Sequence, residues 1–180
     1  MMSLMEILSS DNIVESINNN MDYLLSIIPD LKHLIGFDQK HPHHHLDAWN
    51  HTLLALSLSP NDFDIRLTLL LHDIGKPFSY QDEEVRHFRN HPKVSSDMSK
   101  KILNELGFED SYIEYICYLI LHHDTPITDK DILDDYDLCL KLFEIQKCDA
   151  LAHHPNKQEK RKKYLEEIQN KLKINEKIKL

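Results

Sequence analysis

Glycine is scarce in this chain, with three in 180 residues. A sheet protein turning through tight hairpins draws on many more, so an antiparallel all-β architecture is disfavoured. Cysteine is equally thin. Cys117, Cys139 and Cys148 are odd in number and lack the paired spacing of a zinc knuckle. They read as buried free thiols in a reducing compartment. No apolar run approaches the roughly 18 residues that a membrane helix needs. Met1 to Ser10 holds Glu6 and no basic residue, unlike a secretory leader. The expected location is the cytoplasm. Positive charge is also in deficit: the formal net is −9, and with nine basic residues against four acids from Lys157 onward, residues 1–156 carry −14. An acidic body argues against broad nucleic-acid binding through phosphate neutralisation. The basic tail reads as a solvated helix face, with an anionic partner as the other reading.

Helical period runs through almost every segment. Residues 11–28 put Ile13, Ile17, Met21, Leu24, Leu25 and Ile28 on one stripe, which Pro29 stops. A loop follows over 36–45. A helix over 47–58 carries His51, and Asp62 is the N-cap of another running to about His72. Residues 78–90 are polar and read as a loop. Pro92 opens a helix at the position where its missing N–H costs little, and Gly107 ends it as a left-handed cap. Asp110 is expected to cap a helix over 111–123. Residues 128–135 form a short helix or loop, and 136–153 a further helix. Pro155 opens a charged one that reaches about Lys173. No alternating strand, no internal repeat and no low-complexity tract besides His41 to His45 stands out. The fold expected is all-α, a single-domain helical bundle with a metal site in its core.

Histidine is what the chain has in plenty, 13 in all. His72 and Asp73 end the apolar run Leu67 to Leu71, His123 ends Ile116 to Leu121, and Asp149 follows Leu142 to Ile145. Carboxylates at the core ends of helices are costly unless paired or metal-bound. With His51 and His91 they make a candidate ligand set of six, His51, His72, Asp73, His91, His123 and Asp149, spread over several helices as bundle metal sites are. Any one of these histidines alone is more often a core or surface group; the ordered set carries the reading. Imidazole with carboxylate suits one or two divalent ions, with Mn, Fe, Co, Ni, Zn and Mg all open. His122 neighbours His123 but points about 100° away on a helix. Asp47, four residues before His51, is either a helix-start acid or a group that adds a further ligand or orients His51.

His51, then His72-Asp73, then Asp149 resemble the motif of the HD-domain superfamily of metal-dependent phosphohydrolases. The likeness covers roughly residues 41–155. It is closest to the HD domain of bacterial tRNA nucleotidyltransferases and their free-standing relatives, through 44–53, 71–77, Phe88-Arg89-Asn90-His91 and 121–124. The resemblance implies an all-helical fold and phosphomonoesterase or phosphodiesterase activity. It carries the minimal metal set onto His51, His72, Asp73 and Asp149. Two-metal members add histidines at the positions matched by His91 and His123, with the Asp73 position bridging. Lys76 matches a lysine that contacts substrate phosphate. Thr125-Pro126-Ile127 departs from the Gly-Tyr-Pro signature of cyclic-dinucleotide phosphodiesterases, and Lys76 stands where the 5′-nucleotidase branch has a glutamate. The diadenosine tetraphosphate hydrolase branch stays open. Nothing before residue 41 resembles a nucleotidyltransferase motif, so the tRNA-end-adding reaction is not expected.

The organisation that follows is an N-terminal helical segment over 1–40 packing on the core, an HD domain over 41–155 and a charged C-terminal helix over 156–180. The function expected is metal-dependent phosphoester hydrolysis on a small phosphorylated substrate, a nucleotide foremost. A non-catalytic metal-containing nucleotide- or RNA-binding module is the alternative. Asp73 and Lys76 would be catalytic, with Lys76, His87 and His122 contacting substrate. His87, Asp124 and His44 are the candidates for leaving-group protonation.

Overall fold

A computed structural model of the protein describes residues 2–41, 45–81 and 85–179. It is all-α: among the described residues there are ten α-helices and no strand. His43 and His44 lie outside the described residues.

The central element is α5 (Phe63–Leu71). Asp62 caps its start by accepting from the Ile65 backbone N–H at 3.1 Å. Every residue from Ile65 to Leu71 is buried, as a helix apolar nearly all round must be. Around it pack α4 (Ala48–Ser57), α7 (Asp110–Leu121), α9 (Tyr136–Ala152) and, at its start, α1 (Leu4–Leu8). Helix α6 (His91–Glu105) pairs with α7, and α10 (Glu159–Lys179) lies along α9. Helix α8 (Asp129–Asp134) bridges α9 and α10.

One polar residue in the buried face of α5 ties the N-terminal segment down. Arg66 is 3% exposed. Its guanidinium donates to Leu8 O at 2.7 Å, Ser10 O at 2.8 Å, Asn61 Oδ1 at 3.0 Å and Ser59 Oγ at 3.2 Å. Paired in this way, a buried charge holds its solvation inside the protein.

Several sequence expectations change in detail. The stripe over 11–28 is two helices, α2 (Ile13–Asn19) and α3 (Met21–Ile27). They break at Asn20, whose φ of −118° and ψ of 20° leave the helical region and whose side chain donates to Ser16 O at 2.8 Å. Asparagine offers the backbone that local alternative. Helix α1 lies within the helical segment expected over 1–40 but had no bounds of its own there; Ser3 and Glu6 form a reciprocal capping box at its start. Gly107 does adopt a left-handed conformation, φ +79°, with Phe108 N–H bonded to Leu103 O at 3.1 Å. Helix α7 begins at Asp110, after Glu109 rather than after an Asp110 cap, and ends at Leu121, so both His122 and His123 stand beyond its last turn. Helix α10 continues to Lys179 instead of ending near Lys173.

After α5 the chain makes a turn through Asp73, Ile74 and Gly75 into a short 3₁₀ segment, Lys76–Phe78. The Gly75 N–H donates to Ser95 Oγ of α6 at 2.9 Å. A Cβ at residue 75 would stand 2.5 Å from the Ser95 backbone nitrogen. Only glycine lets this turn lie so close to α6.

Candidate metal centre

Five elements deliver six donors to one place. His51 comes from α4, where Asp47 caps the helix, its carboxylate accepting from Asn50 N at 2.7 Å and Asn50 Nδ2 at 2.9 Å. Asp47 is thus the helix-start acid and not a partner of His51. His72 is the last cap residue of α5, and Asp73 follows in the turn. His91 is the first residue of α6, with Pro92 in its opening turn. His123 follows α7, and Asp149 sits one turn before the end of α9. All six are buried, from His72 at 0% to His91 at 9% exposure.

The imidazoles are oriented alike. His72 Nδ1 bonds to Leu69 O at 2.7 Å, His91 Nδ1 to Phe88 O at 2.6 Å, His123 Nδ1 to Ile120 O at 2.7 Å and His51 Nδ1 to Ala152 O at 3.3 Å. A carbonyl can only accept, so each Nδ1 carries the proton and each Nε2 turns to the centre. There His51 Nε2 is 2.9 Å from Asp149 Oδ1 and 3.6 Å from Asp73 Oδ2. His72 Nε2 is 3.3 Å from Asp73 Oδ2 and 3.7 Å from Asp149 Oδ1. His91 Nε2 is 3.3 Å from the other Asp73 oxygen, Oδ1, and 3.1 Å from His123 Nε2. Donor atoms of His51, His72 and Asp73 fall within 4.8 Å of one another, as do those of Asp73, His91 and His123. Asp73 belongs to both groups, one oxygen turned toward each.

The residues fit a divalent ion on three counts. Both Asp73 oxygens and His72 Nε2 are fully buried without a directed hydrogen bond, which natural cores rarely leave. The facing His91 and His123 nitrogens are two acceptors that only a proton or cation between or beside them reconciles. The mixed nitrogen and oxygen set is one that transition-metal ions and zinc accept.

The electrostatics show what stands in for a cation. Burial disfavours a charge on His72, but the Asp73 and Asp149 carboxylates override it and hold the ring up at about 10. Burial raises both carboxylates; the charges of His72 and Lys76 nonetheless keep Asp73 well below its ordinary range, and His153 with His51 does the same for Asp149. Burial, reinforced by His72 and His91, drives His123 down to about 3. Lys76, 4% exposed, sits with Nζ 2.7 Å from Asp73 Oδ2 and 2.8 Å from Gln39 Oε1.

The centre floors a cleft of about 340 Å³, within the range of small-molecule sites. Asp73, Lys76, His91, His123 and Asp149 open onto it, and so do His41, His87 and Asp124. His122 does not: it faces a separate groove, its ring 4.3 Å from that of Tyr118. The turn after Leu121 parts the two adjacent histidines. Three cleft residues had not been anticipated. His153, the residue that caps the end of α9, stands four residues after Asp149 with Nε2 3.9 Å from its Oδ1, and burial holds it down at about 4; the i, i+4 spacing was a usable signal. Lys160 and Arg161 from the first turn of α10 close one wall. Gln39, behind Lys76, is 37 residues away in the chain, and no local pattern marks it.

Comparisons with known proteins give the family. Residues 43–174 match the HD domain family. The CC-adding tRNA nucleotidyltransferase of Thermus thermophilus is 33% identical over 132 residues, 69% of this chain and 29% of that protein. The A-adding tRNA nucleotidyltransferase of Deinococcus radiodurans is 30% identical over 104 residues, 53% of this chain and 24% of that protein. The likeness thus spans less than a third of either relative. Among the described residues no helix is long and apolar enough to cross a membrane.

Proposed function

The chain belongs to the HD domain family, and on that footing we propose that it is a metal-dependent phosphohydrolase acting on a nucleotide or a related phosphate ester. The observation that carries this is the placement of Asp73. One buried carboxylate is shared by two donor groups at the floor of an open cleft, with an ammonium 2.7 Å away. His51, His72 and Asp149 would hold one divalent ion with Asp73, and His91 and His123 a second. Such ions supply Lewis acidity toward phosphoryl oxygens and toward an attacking water.

The chain's own groups do the rest. The carbonyl-tethered imidazoles keep the donors aimed without rearrangement at the moment of reaction. Lys76, which lines the cleft and is tethered by Gln39, would present its charge to a phosphoryl oxygen beside Asp73. The leaving oxygen takes a proton from Asp124 or His87, both on the cleft wall.

A second reading has one support. Both relatives are named for nucleotide addition to tRNA rather than for hydrolysis, so the domain could bind a nucleotide or RNA end and hold its metal without turnover. Metal analysis of protein purified without added ions, then a nucleotide and aryl phosphate screen with Mn, Co, Fe or Ni, separates the two. Hydrolysis that needs the ion and vanishes in Asp73→Ala is the expected result. A loaded site with no turnover on any phosphate ester would overturn the hydrolase reading and leave the binding module.

A further inference from the structure

We propose that the start of α10 forms a second anion subsite, and that the substrate carries a second phosphoryl group besides the one presented to the metal ligands. The proposal rests on the phosphohydrolase reading for the first group only. The cleft does not end at the ligand cluster. A recess of about 240 Å³ adjoins it, lined by Asp124, Pro126, Lys160, Arg161 and Tyr164. Asp124, Lys160 and Arg161 line both spaces, so one ligand can occupy the two at once.

The recess carries positive charge on a chain whose first 156 residues are strongly acidic. Two basic residues of the C-terminal helix line it, Lys160 exposed at its mouth and Arg161 half-buried. Arg161 reaches over the ligand cluster, its Nη2 3.7 Å from Asp149 Oδ2, and its Nε is buried without a hydrogen-bond partner. A guanidinium so held has a donor to spare and the planar fork that suits phosphate. The Tyr164 hydroxyl is already engaged, accepting from Ile127 N at 2.8 Å and donating to Gln146 Oε1 at 2.9 Å. Its ring and Pro126 are left as an apolar wall, and where His87 protonates the leaving oxygen the Asp124 carboxylate is left to accept from a sugar hydroxyl or base amine. Two cations, an apolar wall and one acceptor match a nucleotide bearing two phosphoryl groups. A monophosphate at the metal ligands would leave Lys160 and the Arg161 Nε–H without a phosphoryl partner.

The probes are adenosine 3′,5′-bisphosphate and adenosine 5′-monophosphate with manganese-loaded full-length protein. The readout is KM where the compound is turned over and calorimetric Kd where it is not. The bisphosphate is expected to bind at least tenfold better, and in Lys160→Ala/Arg161→Ala that ratio is expected to fall toward one. Circular dichroism and manganese content check that the variant is folded and loaded, and Arg161→Lys should restore part of the preference. Equal affinity of the wild type for the two probes would overturn the proposal, as would a preference that survives the double substitution. Turnover with equal affinities sinks the subsite and spares the hydrolase. Preferential binding without turnover does the reverse.

Discussion

Two buried charges, Arg66 on α5 and Asp73 just past its end, are handled in opposite ways. Arg66 has four short, directed hydrogen bonds, to two carbonyls, an amide oxygen and a hydroxyl. Asp73 is as deeply buried, and neither of its oxygens has a directed hydrogen bond. Three imidazole nitrogens and an ammonium surround it at 2.7 to 3.6 Å instead. The first arrangement is closed and stabilises the fold. The second is open to exchange: the Lys76 ammonium and the proton on His72 Nε2 can give way to a cation that the imidazoles would hold. The contrast teaches that burial alone does not mark a functional charge; the incompleteness of its partnering does.

The comparison can be broken most sharply at Asp73. Asp73→Asn keeps the shape but removes the shared anion, so bound metal should fall below one ion per chain. Any metal-dependent turnover should drop by more than the about 10- to 100-fold typical of losing an outer-shell partner. Metal content by mass spectrometry and initial rates check this. At Arg66 the expected loss is in the fold. Arg66→Met leaves the Leu8 and Ser10 carbonyls without partners and should cost about 3 kcal/mol, seen in chemical denaturation, with metal content unchanged.

A smaller effect sharpens the contrast through pH. His123 and His153, held at about 3 and about 4, favour the folded state fully above their ordinary 6.5 and lose that contribution as pH falls below it. His72, raised to about 10, stabilises fully below 6.5 and loses its contribution as pH rises toward 10. Metal-free protein should therefore be most stable near the ordinary histidine value and decline on both sides. Bound metal requires His72 without its Nε2 proton, so loading with manganese should abolish the alkaline decline. Arg66 keeps its charge throughout this range and adds no slope. Denaturation midpoints across pH, with and without ion, measure the difference. The smallest effect belongs to His122→Ala, expected to leave metal content and rates unchanged and stability within about 0.5 kcal/mol.

Much of the architecture was legible because its signals are local. Asp62, Pro92 and Gly107 act on their own turns, and each does what its residue type dictates. The convergence of His72, Asp73 and Asp149 could be suspected because acids at the ends of apolar helices need a partner. Other features are set by neighbours and had no local mark. Asn20 divides a continuous apolar stripe that periodicity reads as one helix. The turn after Leu121 gives His122 and His123 different surroundings for a reason no helical wheel contains. Arg161 meets Asp149 only because α10 folds back along α9, so its charge read as an exposed face.

Gly75 shows how finely the two halves of the centre are gauged. His72 and Asp73 belong to the turn, whereas His91 starts the helix on which Ser95 lies one turn later. The gap between them is therefore set by an atom that is missing. A methyl group at residue 75 would act as a wedge, prying α6 from the turn and carrying His91 away from Asp73, so that the Asp73, His91 and His123 donors would no longer face one another.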